Sequence, residues 1–152
     1  MERLIERIRE SGRALVYPPT GLPTLPEGLN LSSEVESFYN LCGGILFTPN
    51  IEFPIRILSP ERFRLANSEM FAGFSDEEVK KTLHHISWSW FVVAECESDH
   101  EEKVVIDLSI TPSPCYDCYW ATYPGDSEEI TPSFSKFLEK LLEYDGDFIF
   151  WK

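Results

Sequence analysis

The stretch "WSWFVVAEC", residues 88–96, constrains the fold more than any other segment of the chain. Its side chains alternate with period two, placing Trp88, Trp90 and Val92 on one face and Phe91 and Val93 on the other. An extended segment that is apolar on both faces needs cover on both sides. It therefore predicts a central strand with packed layers above and below. The polar "ESDHEE" that follows reads as a turn, and "KVVIDLSI" as the returning strand. "CYDCYWATY", bounded by prolines and Gly125, reads as a third strand of the same meander.

Helical patterns flank this meander. Residues 2–10 place Leu4, Ile5 and Ile8 on one side of an amphipathic helix. Pro18, Pro19, Pro23 and Pro26 exclude helix from the linker behind it. In "NLSSEVESFYNLCGG", Ser32 or Ser33 caps a helix carrying Val35, Phe38, Tyr39 and Cys42, and Gly43 with Gly44 ends it. "ILFTP" and "FPIRILS" read as short strands, with Pro49 and Pro54 in their connection. "SPERFRLANSEMF" predicts a helix that starts at Ser59 and Pro60, and Ser75 with Asp76, Glu77 and Glu78 opens another bearing Val79, Leu83 and Ile86. The closing helix in "ITPSFSKFLEKLLEYDG" presents Phe134, Phe137, Leu138, Leu141 and Leu142 inward and stops near Gly146. The fold class that follows is α+β: a largely antiparallel twisted sheet of about five to six strands, with helices packed on it. Residues 1–152 form a single domain in this reading.

Charge narrows the choice of partners. The net charge is −13, with 26 acidic residues against 13 Lys and Arg. Phosphate binding needs cations to displace counterions, so nucleic acid and anionic membrane surfaces are poor partners. A basic protein surface is a good one, because opposite charge speeds encounter. No apolar run approaches the roughly 20 residues that span a bilayer. The charged N-terminus is no secretory signal either, which makes the expected compartment cytoplasmic and the four cysteines thiols.

Cys115 and Cys118 have the spacing used by zinc ligands and thiol oxidoreductases. Along a strand, however, side chains three apart point to opposite faces and cannot grip one ion together. A redox pair would want its first cysteine at a helix N-terminus. A zinc site needs four ligands, and only the isolated Cys42 and Cys96 remain. Structural thiols are the favoured reading. His84 and His85 are adjacent, so on a helix they diverge by about 100°, and His100 lies in an acidic turn. Asp107 and Asp117 are too easily paired by chance in so acidic a chain to mark acid–base chemistry. No catalytic residue, metal ligand or cofactor site is assigned.

Two acidic clusters remain: Glu95, Glu97, Asp99, Glu101 and Glu102 before one strand, and Asp126, Glu128 and Glu129 before the last helix. Consecutive loops of a meander alternate ends, so both clusters are expected at one end of the sheet. There they would form a rim for a basic partner, with exposed aromatics as its anchor.

The order of segments resembles the SUKH superfamily, which contains a yeast cell-wall-synthesis regulator and many bacterial toxin-immunity proteins. "GLPTLPEGLNLSSEVESFYNLCGG" is similar to its opening helix and turn, and "IRILSPERF" to the strand step that follows. "WSWFVVAE" is similar to its tryptophan-bearing central strand, and "KVVIDLS" to the strand with a buried aspartate, here Asp107. "CYDCYW" stands at a further strand, and "ITPSFSKFLEKLL" resembles the closing helix. The likeness spans residues 20–145, with residues 1–19 as an added helix and linker. Two departures stand out. Cys42-Gly43-Gly44 replaces the usual Asn-Gly, and "ESDHEEK" replaces a glycine-rich turn between the central strands. The resemblance implies a non-enzymatic domain that binds and neutralises a toxin, often a nuclease, whose basic cleft an acidic protein would suit. A regulatory scaffold for cellular proteins is the alternative. A small metal or thiol enzyme built on Cys115 and Cys118 is the third.

Overall fold

The computed structural model describes residues 1–49, 52–75, 77–78, 87–98 and 102–147. In chain order the elements are α1 (Glu2–Glu10), β1 (Ala14–Val16), α2 (Ser33–Leu41), β2 (Ile45–Phe47) and β3 (Ile55–Ile57). Next come β4 (Arg64–Leu65), α3 (Ala66–Met70), β5 (Trp90–Cys96) and β6 (Lys103–Asp107). The chain closes with β7 (Cys115–Asp117), β8 (Glu129–Thr131) and a last helix, α4 (Phe134–Glu143). The expected helix through Val79, Leu83 and Ile86 lies outside the described residues. Its opening does not: Ser75 N–H donates to Glu78 Oε2 at 2.8 Å and Glu78 N–H to Ser75 Oγ at 3.3 Å, a reciprocal capping box.

The strands form one sheet in the order β1-β2-β3-β5-β6-β7-β8, with β4 also pairing with β5. Every pairing is antiparallel. Among the described residues there are eight strands, more than the expected five to six, because β1, β4 and β8 are only two or three residues long. Segments that short carry no readable period.

β5 is buried along its whole length, as its two-faced apolar pattern requires. On one side Phe91, Val93, Val104, Ile106 and Cys115 meet the inward faces of α1, α2 and α4. On the other, Trp90, Val92 and Val105 meet Ala66, Cys118 and Tyr123. The Trp90 ring lies flat on Tyr116 at 4.7 Å and edge-on to Tyr123 at 5.8 Å. The β5–β6 register shifts between Val92 and Ala94. Val93 and Ala94 consequently both belong to the helix-side core, a local kink that alternation along β5 does not show.

Two sequence expectations are corrected. The helix foreseen in "SPERFRLANSEMF" is reduced to Ala66–Met70. Phe63 instead stacks on Phe91 at 5.0 Å, and Arg64 and Leu65 pair with Val92 and Phe91 as β4. Long-range burial and ladder bonds override the local capping signals. Likewise "CYDCYWATY" is a strand only as far as Asp117, after which residues 118–128 form a turn-rich loop.

The closing helix is held from a distance as well. Ser133 Oγ caps it by accepting from Lys136 N–H at 3.2 Å. The Glu34 carboxylate of α2 accepts from Phe134 N–H at 3.1 Å and Ser135 N–H at 3.0 Å. A negative charge at the free N–H groups of a helix start is stabilising, and here it ties α2 to α4.

Candidate functional site

The antiparallel ladder brings three connections to one end of the sheet. Ile55 faces Cys96, Glu95 faces Lys103, Val104 faces Asp117 and Tyr116 faces Glu129. The β2–β3, β5–β6 and β7–β8 connections therefore share that end, the placement expected of the two acidic clusters. Backbone bonds join the three. Glu97 N–H donates to Pro54 O at 2.9 Å, Cys118 N–H to Lys103 O at 3.0 Å, and Asp117 N–H to Glu128 O at 2.9 Å.

The acidic residues are used differently within this end. Glu95 belongs to β5 rather than to a loop and is only 3% exposed. Its carboxylate pairs with Arg62 and, at 3.3 Å, with Arg64. Arg64 continues to Glu69 at 2.7 Å and Lys103 reaches Glu69 at 3.2 Å, so the ion pairs tie β4, α3, β5 and β6 together. Glu95 is a structural ion and leaves the expected rim. Glu97 pairs with Arg56 of β3 and is partly buried. Glu102 is partly buried, while Asp126, Glu128 and Glu129 are exposed. Asp99 and Glu101 lie outside the described residues.

Composition could not say which aromatics face water. Trp120 is 69% exposed and Tyr119 41%, side by side in the β7–β8 loop with ring centroids 5.7 Å apart. Phe53 of the β2–β3 connection is exposed at the same end. One signal was available. "CYDCYWATY" holds more large rings than a strand next to the sheet edge can bury, so some had to remain outside.

The thiols are separated, although Cys118 lies just past the end of β7 and not on the strand with Cys115. Cys115 is buried on the helix side and Cys118 in the opposite core. Burial pushes the Cys118 thiol up to about 12 and raises Cys115 as well, which disfavours the thiolate needed for redox or metal chemistry. Among the described residues no group of three or more His, Cys, Asp or Glu side chains is arranged to hold a metal ion.

Asp107 is buried, and its Oδ1 accepts from Ser89 Oγ at 2.7 Å and from Ser109 N–H at 2.8 Å, closing the turn after β6. Asp117 faces Val104 near the start of β6, so the two aspartates stand at opposite ends of that strand. They form no acid–base pair. An open cleft of about 390 Å³ lies between residues 17–20 and the loop after β3. The Arg56 and Arg62 side chains on its wall are engaged by Glu97 and Glu95. Among the described residues no helix is long and apolar enough to cross a membrane.

Comparison with known proteins adds one informative match. The chain is similar to Immunity protein YokJ of Bacillus subtilis (strain 168), at 29% identity over 154 aligned residues, covering 99% of this chain and 88% of the relative. No family model matches, and no solved structure matches. The likeness runs from end to end of an α+β domain and supports the resemblance to the SUKH superfamily carried by the order of its segments.

Proposed function

We propose that this chain is an immunity protein that binds a toxin and neutralises it by covering its active surface. The observation that carries the reading is the chain-long similarity to an immunity protein. The contact surface is the loop-bearing end of the sheet, formed by Glu97, Glu102, Asp126, Glu128 and Glu129, with Asp99 and Glu101 completing the cluster in sequence. Support comes from the net charge of −13 and from a topology that gathers the acidic connections at one end. The partner is a basic protein domain. A nuclease suits this chemistry, because its substrate cleft is built to attract phosphate and would attract clustered carboxylates equally.

The test is to identify a toxin domain encoded next to this gene and co-produce it with the chain. The expected result is rescue of growth and a stable complex. Replacing Asp126→Asn, Glu128→Gln and Glu129→Gln together should slow association and flatten its salt dependence. Absence of rescue by the unaltered protein would overturn the immunity reading. Rescue with unchanged association kinetics would move the interface elsewhere.

A further inference from the structure

The β7–β8 loop holds two aromatic rings in water while fixing both ends of the turn that carries them, residues 118–123, in the fold. At one end Cys118 is buried in the second core and its N–H donates to Lys103 O at 3.0 Å. At the other Tyr123 enters the same core, and its hydroxyl donates to Asn67 Oδ1 at 2.6 Å. Between them the Tyr119 carbonyl accepts from Thr122 N–H at 3.1 Å and Tyr123 N–H at 2.9 Å, and Thr122 O accepts from Asp126 N–H at 2.8 Å. Tyr119 and Trp120 project from this hydrogen-bonded turn as a ring pair tilted at 55°. Exposed rings on a pinned turn lose little conformational freedom on binding, which favours them as contact residues.

Residues 117–129 contain Asp117, Asp126, Glu128 and Glu129 and no lysine or arginine. The π face of an indole is electronegative, and nearby carboxylates add to the attraction for a cation. A guanidinium suits this seat best, since it stacks flat on the ring and its edge can donate to carboxylates. The competing occupants are disfavoured by the same charges. Stacked nucleic-acid bases bring phosphates with them, anionic lipid surfaces are repelled, and a second copy would bring its own carboxylates. We infer that Tyr119 and Trp120 form the anchor of the interface, a seat for an arginine side chain of the partner protein. This rests on the acidic-surface reading and gives that surface its affinity as well as its attraction.

The experiment uses hexa-arginine and hexa-lysine peptides as probes at low salt, about 20 mM, where surface charges are weakly screened. Binding is followed through the indole N–H signals of the full chain, with the Trp120 signal assigned from its loss in Trp120→Ala. The expected result is that hexa-arginine shifts the Trp120 signal saturably. Trp120→Ala should weaken hexa-arginine about fivefold or more and hexa-lysine less, while Trp120→Phe keeps most of the affinity. Thermal unfolding of both variants should match the parent, which separates the seat from a packing role. Equal binding of both peptides to the parent and to Trp120→Ala would overturn the seat. If the Asp126→Asn, Glu128→Gln, Glu129→Gln variant then still weakened both peptides, the acidic surface would stand without its anchor. Failure of both peptides to bind the parent would sink the acidic surface and the seat together.

Discussion

Glu95 and Glu128 stand at the same end of one sheet and do opposite things. Glu95 is buried and held between Arg62 and Arg64, inside an ion-pair chain that reaches Glu69 and Lys103. Glu128, like Asp126 and Glu129, faces water in a stretch that contains no cation of its own. Three of the chain's 13 basic residues, Arg62, Arg64 and Lys103, are gathered in the first group, and a fourth, Arg56, pairs with Glu97. Local surroundings, not residue type, set the role of a carboxylate. A buried one must be paired to be tolerated, whereas an exposed one contributes little to stability and remains available to a partner.

Two of the four tryptophans repeat the contrast. Trp90 is 4% exposed, clasped by Tyr116 and Tyr123, while Trp120 is 69% exposed. The sharpest way to break the comparison is to truncate both. Trp90→Ala should cost about 3–5 kcal/mol, the range for emptying an aromatic core site, and Trp120→Ala no more than about 0.5 kcal/mol, as read by urea denaturation. Similar losses in both would mean that Trp120 is part of the packing.

The carboxylates provide the next test. Glu95→Ala should lose about 1–3 kcal/mol, moderated because Arg62 and Arg64 are partly exposed and can turn to water. At this chain length that lowers Tm by roughly 2–4 °C for each kcal/mol. The Asp126→Asn, Glu128→Gln, Glu129→Gln variant should unfold within about 0.5 kcal/mol of the parent for each change. Its association with the basic partner should slow roughly tenfold at low salt, measured by stopped flow. A neutral Glu95→Ala would show that the ion-pair chain is incidental.

The smallest expected effect separates buried thiols from reactive ones. Burial raises Cys42 from 9.0 to about 11 and Cys118 from 9.0 to about 12. The folded state therefore keeps these protons after the unfolded chain has released them. Their contribution is complete below pH 9 and is lost as pH rises towards 11–12. Cys42→Ala with Cys118→Ala should flatten that alkaline decline of stability. In the parent at neutral pH, both thiols should react with a thiol reagent only after unfolding. Rapid labelling of Cys118 would return the thiol-enzyme reading to contention.

Much of this architecture is legible in residue order. Period-two alternation around Trp90 required a strand covered on both faces, and the structure supplies helices on one side and α3 with the β7–β8 loop on the other. The three-residue spacing of Cys115 and Cys118 already argued against a shared ion, and the two thiols lie in different cores. The candidate site was less legible. Counting acids placed Glu95 in the rim. The register shift between Val92 and Ala94 is invisible in the sequence, as is the approach of Arg62 and Arg64 from β4 and the turn before it.

Local pattern by itself determined the elements with strong periodicity: α1, α2, α4, β5 and β6, and with them the α+β class and the surplus of negative charge. Those properties depend on neighbours a few residues apart. Tertiary structure decided which carboxylates are neutralised, where the strand after β6 ends, and which rings stay in water. Each of those outcomes turns on groups distant in the chain, such as Glu34 at the start of α4, or Asn67 receiving Tyr123. Burial and pairing are properties of the assembled surface, so no local pattern contains them.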